Sequence, residues 1–205
     1  MSRNPMLAVG VAAALALGAT AAQAQTSTSP SKTMPNSMSR PAAGASSSGA
    51  MEHKASKADQ RFLKEAIEGD LSEVKIGQLA RQNGESQDVK QFGQTLQQDH
   101  GQHLQQAQQM AQQMGVTPPT QPTAKQTKVY DRLSKEHGAK FDKAFAQAMV
   151  KDHKQDIAKY EKEAKKKGEL AQLAQQTLPT LQKHLKTAQA IMNKGAMTGS
   201  KAGAK

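Results

Sequence analysis

A chain of 205 residues with no cysteine has neither disulfides nor thiolate metal sites, so its fold must rest on an apolar core alone. Its formal charge of +11 suits anionic surfaces, yet only 3% of its residues are aromatic and no basic stretch interleaves with stacking side chains. That combination argues against nucleic acid as a partner and leaves anionic envelope surfaces as the candidate for the charge.

The first 24 residues read as a secretory signal peptide. Arg3 supplies the basic start, Leu7 to Ala19 the apolar run, and Ala22-Gln23-Ala24 the small-x-small site, with cleavage expected after Ala24. The run is too short to span a bilayer, so the mature chain is expected to be exported, periplasmic and without a transmembrane span. Residues 25–57 form a Ser/Ala/Pro-rich segment with no acidic residue before Glu52, a composition expected to stay disordered. Met34, Met38, Met51 and His53 within it are scattered soft donors, a loose copper(I) site at most. Residues 58–193 remain as one domain of ordinary size, followed by a basic tail, 194–205, of the same disordered character.

The domain shows no period-two alternation and is filled by Ala, Gln, Lys, Glu and Leu, which predicts an all-α fold. The first helix is expected from Asp59 to Gln82, with Ser56 as its cap; Phe62, Ala66, Gly69, Ile76, Gly77 and Ala80 mark its apolar face, with Glu73 in the middle. The second runs from Gln87, capped by Ser86, to Met114, and stops at Gly115 before Pro118-Pro119. Its stripe is Val89, Phe92, Leu96, Ala107, Met110, Ala111 and Met114, and both His100 and His103 fall within it, while its glutamines face outward. A short helix covers Lys125 to Glu136. The third long helix, Ala139 to Lys167, carries Phe141, Phe145, Met149, Ile157, Tyr160 and Ala164 on one face together with His153 and Asp156. The fourth spans Glu169 to Asn193, where Pro179 should kink or divide it, and brings His184 near the stripe of Leu170, Leu178, Leu181, Leu185 and Ile191. An up-down four-helix bundle follows, with the short helix in the central connection.

The second and third long helices also repeat each other. At an offset of 53 residues Phe92 superposes on Phe145, Asp99 on Asp152, His100 on His153, Gln102 on Gln155 and Gly115 on Gly168. Each repeat therefore offers an i, i+3 pair, His100 with His103 and His153 with Asp156, able to share one ion. An inward carboxylate is costly unless it is paired, protonated or metal-bound, and here every long helix turns an ionisable group inward. The candidate metal ligands are Glu73, His100, His153 and His184, with His103 and Asp156 as additions and Asp99 and Asp152 in support. Nitrogen and oxygen donors of this kind suit iron, manganese, zinc or copper(II). The opposing reading is that these groups satisfy one another, Asp99 and Asp152 holding histidines of neighbouring helices, and that the basic surface acts on the envelope. No serine sits on a strand-turn-helix elbow and no glycine loop cradles phosphate, so no catalytic motif is present and the protein is expected not to be an enzyme. A metal-dependent oxidase is the remaining alternative, disfavoured because His-x-x-His and His-x-x-Asp stand where Glu-x-x-His would be expected.

Three segments, "SEVKIGQLARQNGESQDVKQFGQTLQQDH", "HGAKFDKAFAQAMVKDH" and "TLPTLQKHL", resemble the signatures of the bacterial exported family catalogued as domain of unknown function 4142. The resemblance covers about Ala58 to Met192 and implies a ferritin-like helical bundle in the periplasm or outer membrane, with no established activity. Its motif residues correspond to Glu73, Asp99, His100, Phe141, Asp142, Asp152, His153, Leu178, Pro179 and His184. It implies the smaller ligand set, because the position of His103 is commonly not a ligand type in that family.

Overall fold

The computed structural model describes residues 55–202, with side chains to Gly195. The signal peptide, the methionines and histidine of the linker and the last three residues lie outside the described residues. Five helices make up the described chain: α1 Lys57–Asn83, α2 Gln87–Gln113, α3 Ala124–Leu133, α4 Gly138–Ala164 and α5 Glu169–Ala202. Among the described residues no helix is long and apolar enough to cross a membrane.

The helix ends follow local chemistry. Ser56 and Asp59 close a capping box on α1, each backbone N–H donating to the other's side chain at 3.1 Å. Thr123 and Gln126 do the same for α3. Ser86 caps α2 by accepting from the Val89 N–H, and Asp142 reaches across from α4 to accept from the Glu85 and Ser86 N–H groups, both at 2.9 Å. The left-handed backbone at Gly115, Gly138 and Gly168, with φ of 66°, 60° and 103°, marks the turn after α2, the first residue of α4 and the turn before α5.

Two expectations change. Pro179 does not divide α5, because it lies on the exposed side of the helix; the carbonyl that loses its donor is that of Gln175, itself exposed and so not left buried without a partner. The helix also continues past Asn193 to Ala202, since Gly195 weakens it without removing a hydrogen-bond donor.

The chain forms two antiparallel hairpins, α1–α2 and α4–α5, each up-down. Arg81 and Asp70 of α1 bond Gln97 and His100 of α2, descending one helix while ascending the other. Between hairpins the order departs from simple alternation. Phe92 meets Phe145 and His100 meets His153, each pair with ring centroids 5.8 Å apart, so α2 and α4 run parallel. Helices of 27 residues are about 40 Å long. A parallel neighbour therefore needs a return path of that length, and residues 114–137, with α3 packed against α1 and α4, provide it. Phe92 and His100 of α2 thus meet the residues 53 positions further on in α4, while α1 packs beside α2 and α5 beside α4.

The main core gathers Ile76, Val89, Leu96, Leu133, Phe141 and Met149, all nearly inaccessible, around the Phe92–Phe145 contact. The α1–α2 hairpin is drawn tight where Gly77 and Gly93 face each other, since a Cβ on either would lie 2.6 Å from the other's carbonyl oxygen. Gly93→Ala is expected to destabilise the protein by about 1–3 kcal/mol, overriding the roughly 1 kcal/mol gained in helix propensity. Gly101→Ala on the same helix, with nothing within 4 Å of the added methyl, should stabilise it. Urea midpoints for the two variants should therefore move in opposite directions.

Candidate metal centre

Three of the inward histidines meet. His100 of α2, His153 of α4 and His184 of α5 are all buried, and one donor nitrogen from each lies within 4.8 Å of the others. Among the described residues this is the group of histidine and acidic side chains with that spacing. Phe92 packs edge-on against the His184 ring with centroids 5.8 Å apart, closing the site on the core side.

The outer nitrogen of every ring is held by an oxygen of the protein. His100 Nδ1–H donates to Asp70 Oδ1 at 2.9 Å, His153 Nδ1–H to the Met149 carbonyl at 3.0 Å, and His184 Nε2–H to Asp99 Oδ2 at 2.8 Å. With the N–H placed outward, the other nitrogen of each neutral ring carries a lone pair turned inward. His100 Nε2 is completely buried and has no hydrogen-bond partner in the protein. His153 Nε2 and His184 Nδ1 stand 3.2 Å apart, two acceptors facing each other. Nitrogens bound tetrahedrally to one zinc at about 2.0–2.1 Å would be about 3.3 Å apart, so this pair is at coordination spacing. Burial, followed by the neighbouring His100, lowers the pKa of His153 to about 3 and of His184 to about 4, which keeps both rings neutral and ligand-ready at pH 7.

Asp70 organises a further layer. Besides His100 it accepts from His103 Nδ1–H at 2.7 Å, and His103 Nε2 accepts from the Tyr160 hydroxyl at 3.5 Å. Burial alone raises the Asp70 carboxyl, but the two imidazole hydrogen bonds and their charges outweigh it and leave its pKa below the ordinary value. Tyr160 is pushed well up by burial and then by the charges of Asp70 and Asp156, so it stays a donor. Carboxylate-to-histidine contacts of this kind fix the tautomer and orientation of metal-binding imidazoles.

The remaining expected ligands are placed differently. His103 is buried but points to Asp70 and Tyr160, away from the three inner nitrogens, because Asp70 has captured its Nδ1. Asp156 lies at the edge, bonded to Lys159 at 3.3 Å, and burial and then the charge of Asp152 raise its pKa to about 6. Glu73 is 1% exposed and falls outside the close histidine group. Asp99 holds His184, as its place at the stripe edge suggested; among the described residues Asp152 is hydrogen-bonded to no histidine.

Asp70 is the residue that sequence reasoning missed. It follows Ala66 by four and precedes Glu73 by three, so the helical period places it on the same face. Its buried position was legible; its two partners on another helix were not.

No curated protein matches the chain. Among solved structures, a fragment of DUF305 from Deinococcus radiodurans shares the fold, with a TM-score of 0.62 over 68% of this chain and 98% of that one at 14% identity. Residues 44–191 match the family described as "Domain of unknown function (DUF4142)", a span that contains all three histidines, Asp70 and Asp99. The chain belongs to that family.

Proposed function

We propose that this is an exported, periplasmic, non-enzymatic protein that holds a divalent metal ion on His100, His153 and His184. The observation that carries the reading is the convergence of three inward nitrogens whose rings are each held from behind by an oxygen acceptor. A buried set of lone pairs without a donor is costly, and a cation satisfies all three at once. Imidazole donors favour zinc, copper, iron or nickel over magnesium or calcium. Export is supported by the basic start, apolar run and Ala-Gln-Ala site of the first 24 residues.

Elemental analysis of the untagged mature protein, isolated without chelator, tests this beside the His100→Ala/His153→Ala variant. About one metal ion per chain is expected in the wild type, and loss of it in a variant that keeps its helical circular dichroism. Absence of metal from both would end the metal reading and shift attention to the basic surface and anionic envelope polymers.

A further inference from the structure

The short helix α3 is seated loosely on the bundle. Leu133 is its buried residue, while Val129 and Tyr130 are only partly buried against the core. Lys125, Val129 and Arg132 follow one another by four and three residues, so they share one face of α3. Between that face, α1 and α4 lies a cavity of about 230 Å³, many times the space that one water needs.

The wall of this cavity is of two kinds. Ile76 and Met149, both buried, form an apolar part with Val129 and Ala148. The charged part is mainly cationic: Lys125 and Arg132 of α3 and Lys151 of α4 line it, and Asp152 is the one acid among the lining residues. Among the described residues none of those three cationic side chains is engaged in an ion pair or hydrogen bond. Ser72 of α1 supplies an independent sign. It lines the cavity and is 4% exposed, yet its hydroxyl makes no hydrogen bond among the described residues. Thr95, Thr177 and Thr187 show the usual resolution for a hydroxyl within a helix, each donating to the carbonyl four residues back. A buried hydroxyl without a partner is costly, and an acceptor in the cavity would remove that cost.

We propose that the α1/α3/α4 cavity binds an amphiphilic carboxylate, its head accepting from Ser72 and from the cations and its alkyl chain lying against Ile76, Val129 and Met149. A bare inorganic anion would leave the apolar part uncovered, and a neutral alkane would leave Ser72 and the cations unanswered. Pockets that combine an apolar lining with a few placed donors select ligands of this mixed character, and an arginine fork matches a carboxylate in particular. The inference goes beyond the histidine site and does not depend on its occupancy, since His100, His153 and His184 are not among the residues that line this cavity.

The test is calorimetric titration of the mature full-length chain with octanoate, beside octanol and acetate. One octanoate is expected to bind per chain, with octanol and acetate at least tenfold weaker. Ser72→Ala and Arg132→Ala should each weaken octanoate about tenfold or more, as loss of a hydrogen bond to a charged group does. Both variants should keep their helical circular dichroism, and Ser72→Ala should unfold at no lower urea concentration than the wild type. Ala148→Phe, which narrows the cavity without removing a donor, should weaken binding as well, whereas Lys154→Ala, which removes a cation that does not line the cavity, should leave it unchanged. No uptake of octanoate would overturn the proposal and leave the cavity to water. Equal binding by the wild type, Ser72→Ala and Ala148→Phe would overturn it too, as adsorption to the basic surface. Binding that vanishes in His100→Ala/His153→Ala would place the carboxylate on the histidine-bound metal and overturn the cavity assignment, while binding retained there would support it whether or not the histidines hold an ion.

Discussion

Replacing Asp70 by asparagine is expected to lower metal affinity at the histidine site by roughly 10–100-fold and to destabilise the metal-free protein by about 3 kcal/mol. Asp70 presents one oxygen to each of two imidazole N–H groups, at 2.9 and 2.7 Å. Asparagine keeps one acceptor and turns an NH₂ donor toward the other ring, so one histidine must flip its tautomer or leave. If it is His100 that flips, its N–H points into the cluster and its lone pair is lost to the metal. If it is His103, the Tyr160 hydroxyl loses its acceptor. At about 2–4 °C per kcal/mol for a domain of this size, the melting midpoint should fall by about 6–12 °C. Zinc titration monitored by calorimetry, with thermal unfolding of the metal-free form, checks both numbers. A large loss of stability with unchanged zinc affinity would mean that Asp70 serves packing only and does not orient His100.

Glu73→Gln should do the reverse to the metal-free protein, raising its stability by about 2 kcal/mol at pH 6 and by almost nothing at pH 4. The sign follows from where the proton sits. The folded state holds Glu73 protonated above its ordinary range, because of burial and then the charge of Asp152, whereas the unfolded chain releases that proton near the ordinary value of 4.5. Stability is therefore lost as pH rises above about 4.5, and glutamine, with nothing to release, escapes the loss. His153 and His184 work in the opposite direction. The unfolded chain protonates them as pH falls below 6.5, but the folded state resists until about 3 and about 4, so stability is lost between pH 6.5 and 4. Asp156, raised to about 6, offsets one histidine over that window. In the wild type Glu73 offsets the other, and the profile from pH 4.5 to 6 should be nearly flat. In Glu73→Gln it should tilt, losing about 1.4 kcal/mol per pH unit of acidification. Urea midpoints across pH 4 to 7 read both profiles; parallel curves for the two proteins would show that Glu73 is not held protonated.

The helices and their inward faces were legible because both are local. Capping by Ser56 and Ser86, the stops at Gly115 and Gly168, and the 100° advance that lines up Phe92, Leu96, His100 and His103 depend only on residues within a few turns. The helical period also carries Asp70 onto the buried face of α1, though its charge hides it from a search for apolar stripes. Pro179 misled in the other direction, since its effect on α5 depends on whether the orphaned carbonyl faces water.

By itself the sequence determined an all-α chain and a histidine turned inward on three of its long helices, because periodicity specifies a side chain's direction about its own axis. The tertiary structure decided the rest. The long central connection let α2 and α4 lie parallel, which brought His100 against His153 instead of setting them at opposite ends of the bundle. Helix contacts then chose the acceptor behind each ring, Asp70, the Met149 carbonyl and Asp99, and so which nitrogen faces inward. Those choices separated His103 and Glu73 from the cluster they were expected to join. A tautomer is set by the partner a ring finds across the bundle, and no spacing along a single helix encodes that partner.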